Sequence, residues 1–402
     1  MKNLKQILQY TTGLSLALLL LASCKKEVPT KYILSENITE NLTLTNHSKK
    51  GADYQVEGCI SVTNGAVLTI EPGVTIQFAQ GSCLKMTDFG ALNAVGTASD
   101  PIYFTGLQAT NGFWKGLFFD GSNNTNNLLE YCVVEYASGE NNSYQNAAVV
   151  IGLNPVFSNG ASRLTLRHTT IRNSSNHGLY VAKNSFLNIE NCTITENDKS
   201  PVLLTLQNMG VLNNTNDFSG NTQNYVLLDA TTIQASYVEN DVTLPKINVP
   251  YAIKGEVDVQ AAWTIEAGVE FIMMSNAGIY VSGFDGGSLY AVGNIIEHIT
   301  FKGLQATKGF WTGIATEYGA PYTLHYCDFS DAGNRGLPGL TVPKGTLHAG
   351  SMGGAPTISV KNCNFSNGLN HGISIGGSSN YNADIQTINT FTNIDGDNVH
   401  FY

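Results

Sequence analysis

The side chains best suited to chemistry are few and loosely grouped. Arg167, His168, Arg172 and Lys183 form a basic group around the stretch "NHG" that holds His177, and Glu130 and Glu135 precede them. A basic side chain can take a proton from a sugar ring, and a pair of carboxyl groups can cleave a glycosidic bond. A second "NHG" holds His371. Each of these histidines reads either as a catalytic base or as a turn residue that hydrogen-bonds a neighbouring segment. Asp88, Asp285, Asp395 and Asp397 offer hard oxygen ligands for Ca²⁺, although exposed turns use Asp and Gly routinely. No P-loop, dinucleotide fingerprint, HExxH or GxSxG motif occurs.

The elements that must position these groups follow from a repeat. "GLQATNGFW" at Gly106 returns as "GLQATKGFW" at Gly303. "YQVEG" at Tyr54, "TIEPGVTIQF" at Thr69, "LNAVG" at Leu92 and "LEYCVVEYA" at Leu129 each recur in the same order, roughly 200 residues later. Residues 35–230 and 231–402 therefore read as two tandem copies. The polar candidates are not kept between copies: His325 and Ser330 stand opposite Glu130 and Glu135, and Lys361 stands opposite Arg167.

A shorter period lies inside each copy. Leu129, Cys132 and Val134 are echoed by Leu166, Thr169 and Ile171, and then by Ile189, Cys192 and Ile194. Leu324, Cys327 and Phe329 are echoed by Val360, Cys363 and Phe365. Short strands of period two, joined by Asn and Gly turns and repeated at a period in the low twenties or longer, predict a parallel β-solenoid. Stacking coils at ~4.8 Å sets like residue over like and buries an apolar ladder worth roughly 25 cal/mol per Å². Trp114 and Trp311 close the repeated loop. They either plug the coil or stand out as ligand-binding platforms for a sugar ring.

Cys59 and Cys83 are one coil apart, and both are missing from the second copy, where Glu256 and Gly278 align. They are expected to form a disulfide. Cys132, Cys192, Cys327 and Cys363 share one inward position and read as small buried hydrophobes, with a Cys327–Cys363 bridge as the alternative. No CxxC pair is present, so no metal site is expected from the cysteines.

The N-terminus has Lys2 and Lys5, the apolar run "GLSLALLLLAS" and then Cys24. The stretch "LASC" resembles the lipobox of bacterial lipoproteins. That resemblance implies a signal peptide over 1–23, lipidation of Cys24, a tether over 24–34 and anchoring to a membrane of the bacterial cell envelope, the outer membrane being the expected one.

"LTIEPGVTIQF", "GALNAVGTASDPIYFTG", "GFWKGLFF" and "LEYCVVEYA", with their second copies, resemble the right-handed parallel β-helix of secreted bacterial surface proteins, the fold of the pectate lyases. The resemblance implies an all-β, right-handed parallel β-helix in two duplicated halves. It leaves the activity open, because this fold carries lyases, hydrolases, adhesins and spacers. Low charge content (13%), a net charge of −10 and the lack of a basic patch exclude nucleic acid as a partner. The expected role is non-catalytic display of a face that binds a polysaccharide or surface protein, without a cofactor. The alternative is a polysaccharide lyase or glycoside hydrolase acting on acidic polysaccharide. A third reading, a spacer or assembly element, rests on the final "NVHFY", which follows a coil with no evident helical cap.

Overall fold

The computed structural model describes residues 31–47, 51–139, 146–152, 161–231, 236–335, 343–350 and 354–402. The expected signal peptide, Cys24 and all but the last four residues of the expected tether lie outside them, as does most of the loop Ser138–Ala147. The chain is an all-β parallel β-helix, wound as coils of three short strands. In one coil Tyr54–Val56 lies on face 1, Cys59–Val62 on face 2 and Val67–Ile70 on face 3. The next coil places Thr75–Phe78, Cys83–Met86 and Ala91–Val95 directly beside them, in parallel.

Register is set by the inward residues. On face 1 the stack runs Tyr54, Ile76, Phe104, Val134, Ile171, Ile194. On face 3 it runs Leu44, Ile70, Ala94, Leu129, Leu166, Ile189. All twelve are buried. A one-residue slip would turn every such side chain outward, so the apolar ladder fixes the pairing. In the second copy the face 1 ladder becomes aromatic. Phe271, Phe301, Phe329, Phe365 and Phe391 stack ring on ring with centroids 4.8–5.1 Å apart. The inter-strand spacing matches the distance at which offset rings attract.

Corners are tight. Tyr131, His168, Asn191, Tyr326 and Asn362 all take left-handed backbone angles between faces 3 and 1. Asparagine adopts this conformation readily. At Tyr131 and His168 the rings of adjacent coils stack at 4.6 Å, which accompanies the less favoured backbone. Inside the coils, buried asparagines satisfy turn backbone: Asn389 Oδ1 accepts from the Cys363 N–H at 2.9 Å and its amide donates to Val360 O at 3.0 Å.

One apolar core runs from Ile38 to Ile385, so the two copies share a single solenoid interior. Their faces are not aligned, however. Val226–Ala230, the last face 2 strand of the first copy, pairs with Tyr251–Gly255, which is the second copy's face 1. The strand Tyr251–Val259 then bends at Gly255 (φ +92°) into the second copy's face 2. The second copy is thus advanced by one face relative to the first.

Candidate functional site

The residues singled out in the sequence are dispersed. Arg172 and Glu135 meet on face 1. The guanidinium donates through Nε at 2.9 Å and Nη2 at 2.8 Å to Glu135 Oε2, while Thr105 donates to Oε1 at 2.9 Å. This pairing raises the Arg172 pKa, which removes it as a proton acceptor. Arg167 lies on face 3, in register between Glu130 and Glu190 and 3.7 Å from the latter's carboxylate. His177 lies buried on face 2, where burial, with Lys199 adding to the effect, pushes its pKa down to about 4. These residues do not converge on one groove.

The platform reading of Trp114 and Trp311 is corrected. Both are 0% exposed. Trp114 stacks on Phe78 at 3.9 Å and donates its indole N–H to Glu135 O at 2.8 Å; Trp311 donates to Ser330 O at 2.7 Å. Each ring plugs its coil because the next coil's carbonyl satisfies the only polar atom. The four aspartates are likewise not assembled for Ca²⁺. Asp395 pairs with Lys308, Asp397 with two histidines, Asp285 accepts from Ser282, and Asp88 sits at a left-handed turn of the first copy. Cys59 and Cys83 are joined by a disulfide. The other four described cysteines are buried thiols, with no bridge between Cys327 and Cys363. Burial pushes the Cys192 thiol up to about 11.

A different constellation forms on the outer side of face 2 in the second copy. Along Tyr251–Val259, Val257 and Val259 point into the core, so Glu256 and Asp258 point out. Asp258 is followed, coil by coil, by Tyr280, Ala315, His348, Ser374 and His400. Glu256 is followed by Gly278 and Gly313. These glycines form a bare track. A Cβ at Gly313 would stand 2.9 Å from Arg335 Cβ, and one at Gly278 would stand 3.5 Å from Arg335 Nη1. Arg335 is pinned by backbone bonds to Gly345, and its side chain runs back along the track to Glu256, donating at 2.7 and 3.2 Å. On the way the guanidinium lies 5.6 Å over the Tyr280 ring, and the Tyr280 hydroxyl donates to Glu317.

Glu317, Arg335 and His348 are buried and Asp258 and Tyr280 half-buried, while Glu256 and Asp285 stand exposed, and the electrostatics follow. Burial pushes the Asp258 carboxyl above the usual range; the Gln260 hydrogen bond opposes this, while Asp285 and Glu256 add to it. Burial also raises Glu317, against the pull of Arg335. His348 is fully buried and held down to about 4 by burial. Its Nδ1 donates to Pro343 O at 3.1 Å, and its Nε2 accepts from the Tyr402 hydroxyl at 3.0 Å. Asp258 Oδ1, Arg335 Nε and Ser374 Oγ are buried without a protein hydrogen-bond partner. At the rim Phe284 is 84% exposed, edge-on to Tyr318 and next to Asp285. Donors, acceptors and an exposed ring therefore converge, with Glu256, Asp258 and Glu317 around one guanidinium and Asp285 acting on Asp258.

The sequence signals for this site were faint. Phe284, in "GFDGG", breaks the inward alternation, as does its first-copy counterpart Phe89 in "TDFGA", also exposed. In the first copy the same outer surface is apolar: Phe118, Val150, Tyr180, Leu203 and Leu227 form a buried ladder of their own. A family model described as a pectate-lyase-like beta helix domain matches residues 36–150. No curated protein and no solved structure matches the chain. The matched segment lies wholly within the first copy, and the polar cluster begins at Glu256, beyond it.

Proposed function

We propose that this β-helix protein is anchored to the bacterial cell envelope through an acylated Cys24 and binds a glycan at the polar cluster of its second copy. The observation that carries the reading is the convergence of Glu256, Asp258, Glu317, Tyr280 and Arg335 beside the exposed ring of Phe284. Sites that fix orientation with a few convergent polar groups and an aromatic surface suit hydroxyl-rich ligands. The charge balance selects among glycans. Arg335 already serves Glu256, and carboxyl groups outnumber cations, so a polyuronate would meet repulsion. A neutral or amino-sugar glycan fits, which departs from the acidic polysaccharide anticipated for an enzyme of this fold.

Glycoside hydrolysis is the second reading, favoured by one observation. Burial raises Asp258 and Glu317 beside other acids, and a protonated carboxyl paired with an ionised one is what that reaction uses. A glycan array run beside a reducing-end release assay separates the two. Binding without turnover, lost in Glu256→Ala and Phe284→Ala, supports a binding protein. Turnover abolished by Glu317→Gln makes it a hydrolase. No binding of any neutral or amino-sugar glycan overturns both. For the anchor, Cys24→Ser is expected to move the protein from the membrane fraction to the soluble one.

A further inference from the structure

We infer that His371, Asp397 and His400 form a binding site for a divalent first-row transition metal such as Zn²⁺. One ligand atom from each lies within 4.8 Å of the others. The solenoid register builds the group. The Asp397 N–H donates to His371 Nδ1 at 2.9 Å, which orients the first ring. His400 is three residues further on, next to Ser374 in the adjoining strand, and its ring stacks on His371 at 4.1 Å and 14°. His400 Nδ1 donates to Asp397 Oδ2 at 2.7 Å, and His371 Nδ1 stands 3.6 Å from the same oxygen. Ligands at about 2.0–2.1 Å around a tetrahedral ion lie about 3.3 Å apart, so these separations bracket the required one.

Two imidazoles and a carboxylate form a borderline-soft set that suits Zn²⁺ and its neighbours and suits Mg²⁺ or Ca²⁺ poorly. The three side chains are half-buried or exposed, so an ion can enter from solvent. Binding would require His400 to exchange its proton from Nδ1 to Nε2 through solvent, which frees Nδ1 for the ion, and the Asp397 N–H to give up His371 Nδ1.

The first copy supplies an internal control. Its "NHG" histidine, His177, has Ser200 and Leu203 where the second copy has Asp397 and His400. The shared histidine belongs to the repeat; the two other ligands belong to the second copy alone.

The test is calorimetric titration of the full-length protein with Zn²⁺ at neutral pH. One ion per chain is expected. Asp397→Asn and His400→Asn should each weaken binding by about tenfold or more, and His177→Asn should leave it unchanged. Lack of saturable binding, or wild-type affinity in the Asp397→Asn and His400→Asn proteins, overturns the site. If a variant loses its β-sheet circular dichroism, the wild-type protein decides: a marked preference for Zn²⁺ over Mg²⁺ is expected, and equal binding of both refutes the assignment.

Discussion

Arg335 reaches Glu256 across a separation of 79 residues, lying along a track that Gly313 and Gly278 leave bare. A methyl group at Gly313 would meet Thr346 O at 2.3 Å and Arg335 Cβ at 2.9 Å, on a backbone with φ +122°. Gly313→Ala should therefore destabilise the fold by about 1–3 kcal/mol and displace the arginine. Gly286→Ala has a similar backbone conformation (φ +88°) with nothing within 4 Å, and should cost less. Thermal melts of the two variants check the difference; equal losses would show that the track does not hold the arginine.

The two tryptophans are predicted to matter for stability and not for glycan recognition. Trp114→Phe removes the indole N–H and leaves the buried Glu135 carbonyl without it, a loss of about 1–3 kcal/mol. Denaturant midpoints should fall while glycan binding is retained.

Acid should weaken the fold through His177 and His348. Both have folded pKa values near 4, below the ordinary 6.5. The unfolded chain then takes up more protons between those limits, so stability is full above about 6.5 and falls as pH drops toward 4. Each histidine contributes on the order of 3 kcal/mol at most. Asp258 and Glu317, whose pKa values are raised, act in the opposite sense at acid pH and blunt the loss. Urea unfolding at pH 7 and pH 4.5 measures the slope, and His348→Gln should flatten it.

Reduction of the Cys59–Cys83 bond should lower stability by about 3 kcal/mol, the loop-closure value for a separation of 24 residues. Thiol titration of unreduced, denatured protein should find neither cysteine reactive. A Cys59→Ser/Cys83→Ser variant that melts like the wild type would show that stacking alone holds those coils.

The solenoid was legible because its signal is local and repeated. Ile171 and Ile194 share a position within one coil, and both are buried. Cys59 and Cys83 were legible for the same reason, since one coil of spacing places them side by side. The polar cluster was not, because Arg335 lies in an insertion between strands and meets Glu256 only after three coils have stacked. Outward positions carry no signal common to the two copies: Val150 and His348 occupy equivalent places, one apolar and one titratable. Nor could the repeat reveal the one-face advance at Val226–Ala230, where copies identical in order pair out of phase.

That advance governs what a long ligand can reach. Matching surfaces on the two copies look out from different sides of the rod. A straight polymer laid along the axis can touch only one of them, so doubling the gene segment did not double the contact strip. Engaging both would require a chain that winds around the molecule, or two separate molecules approaching from different directions.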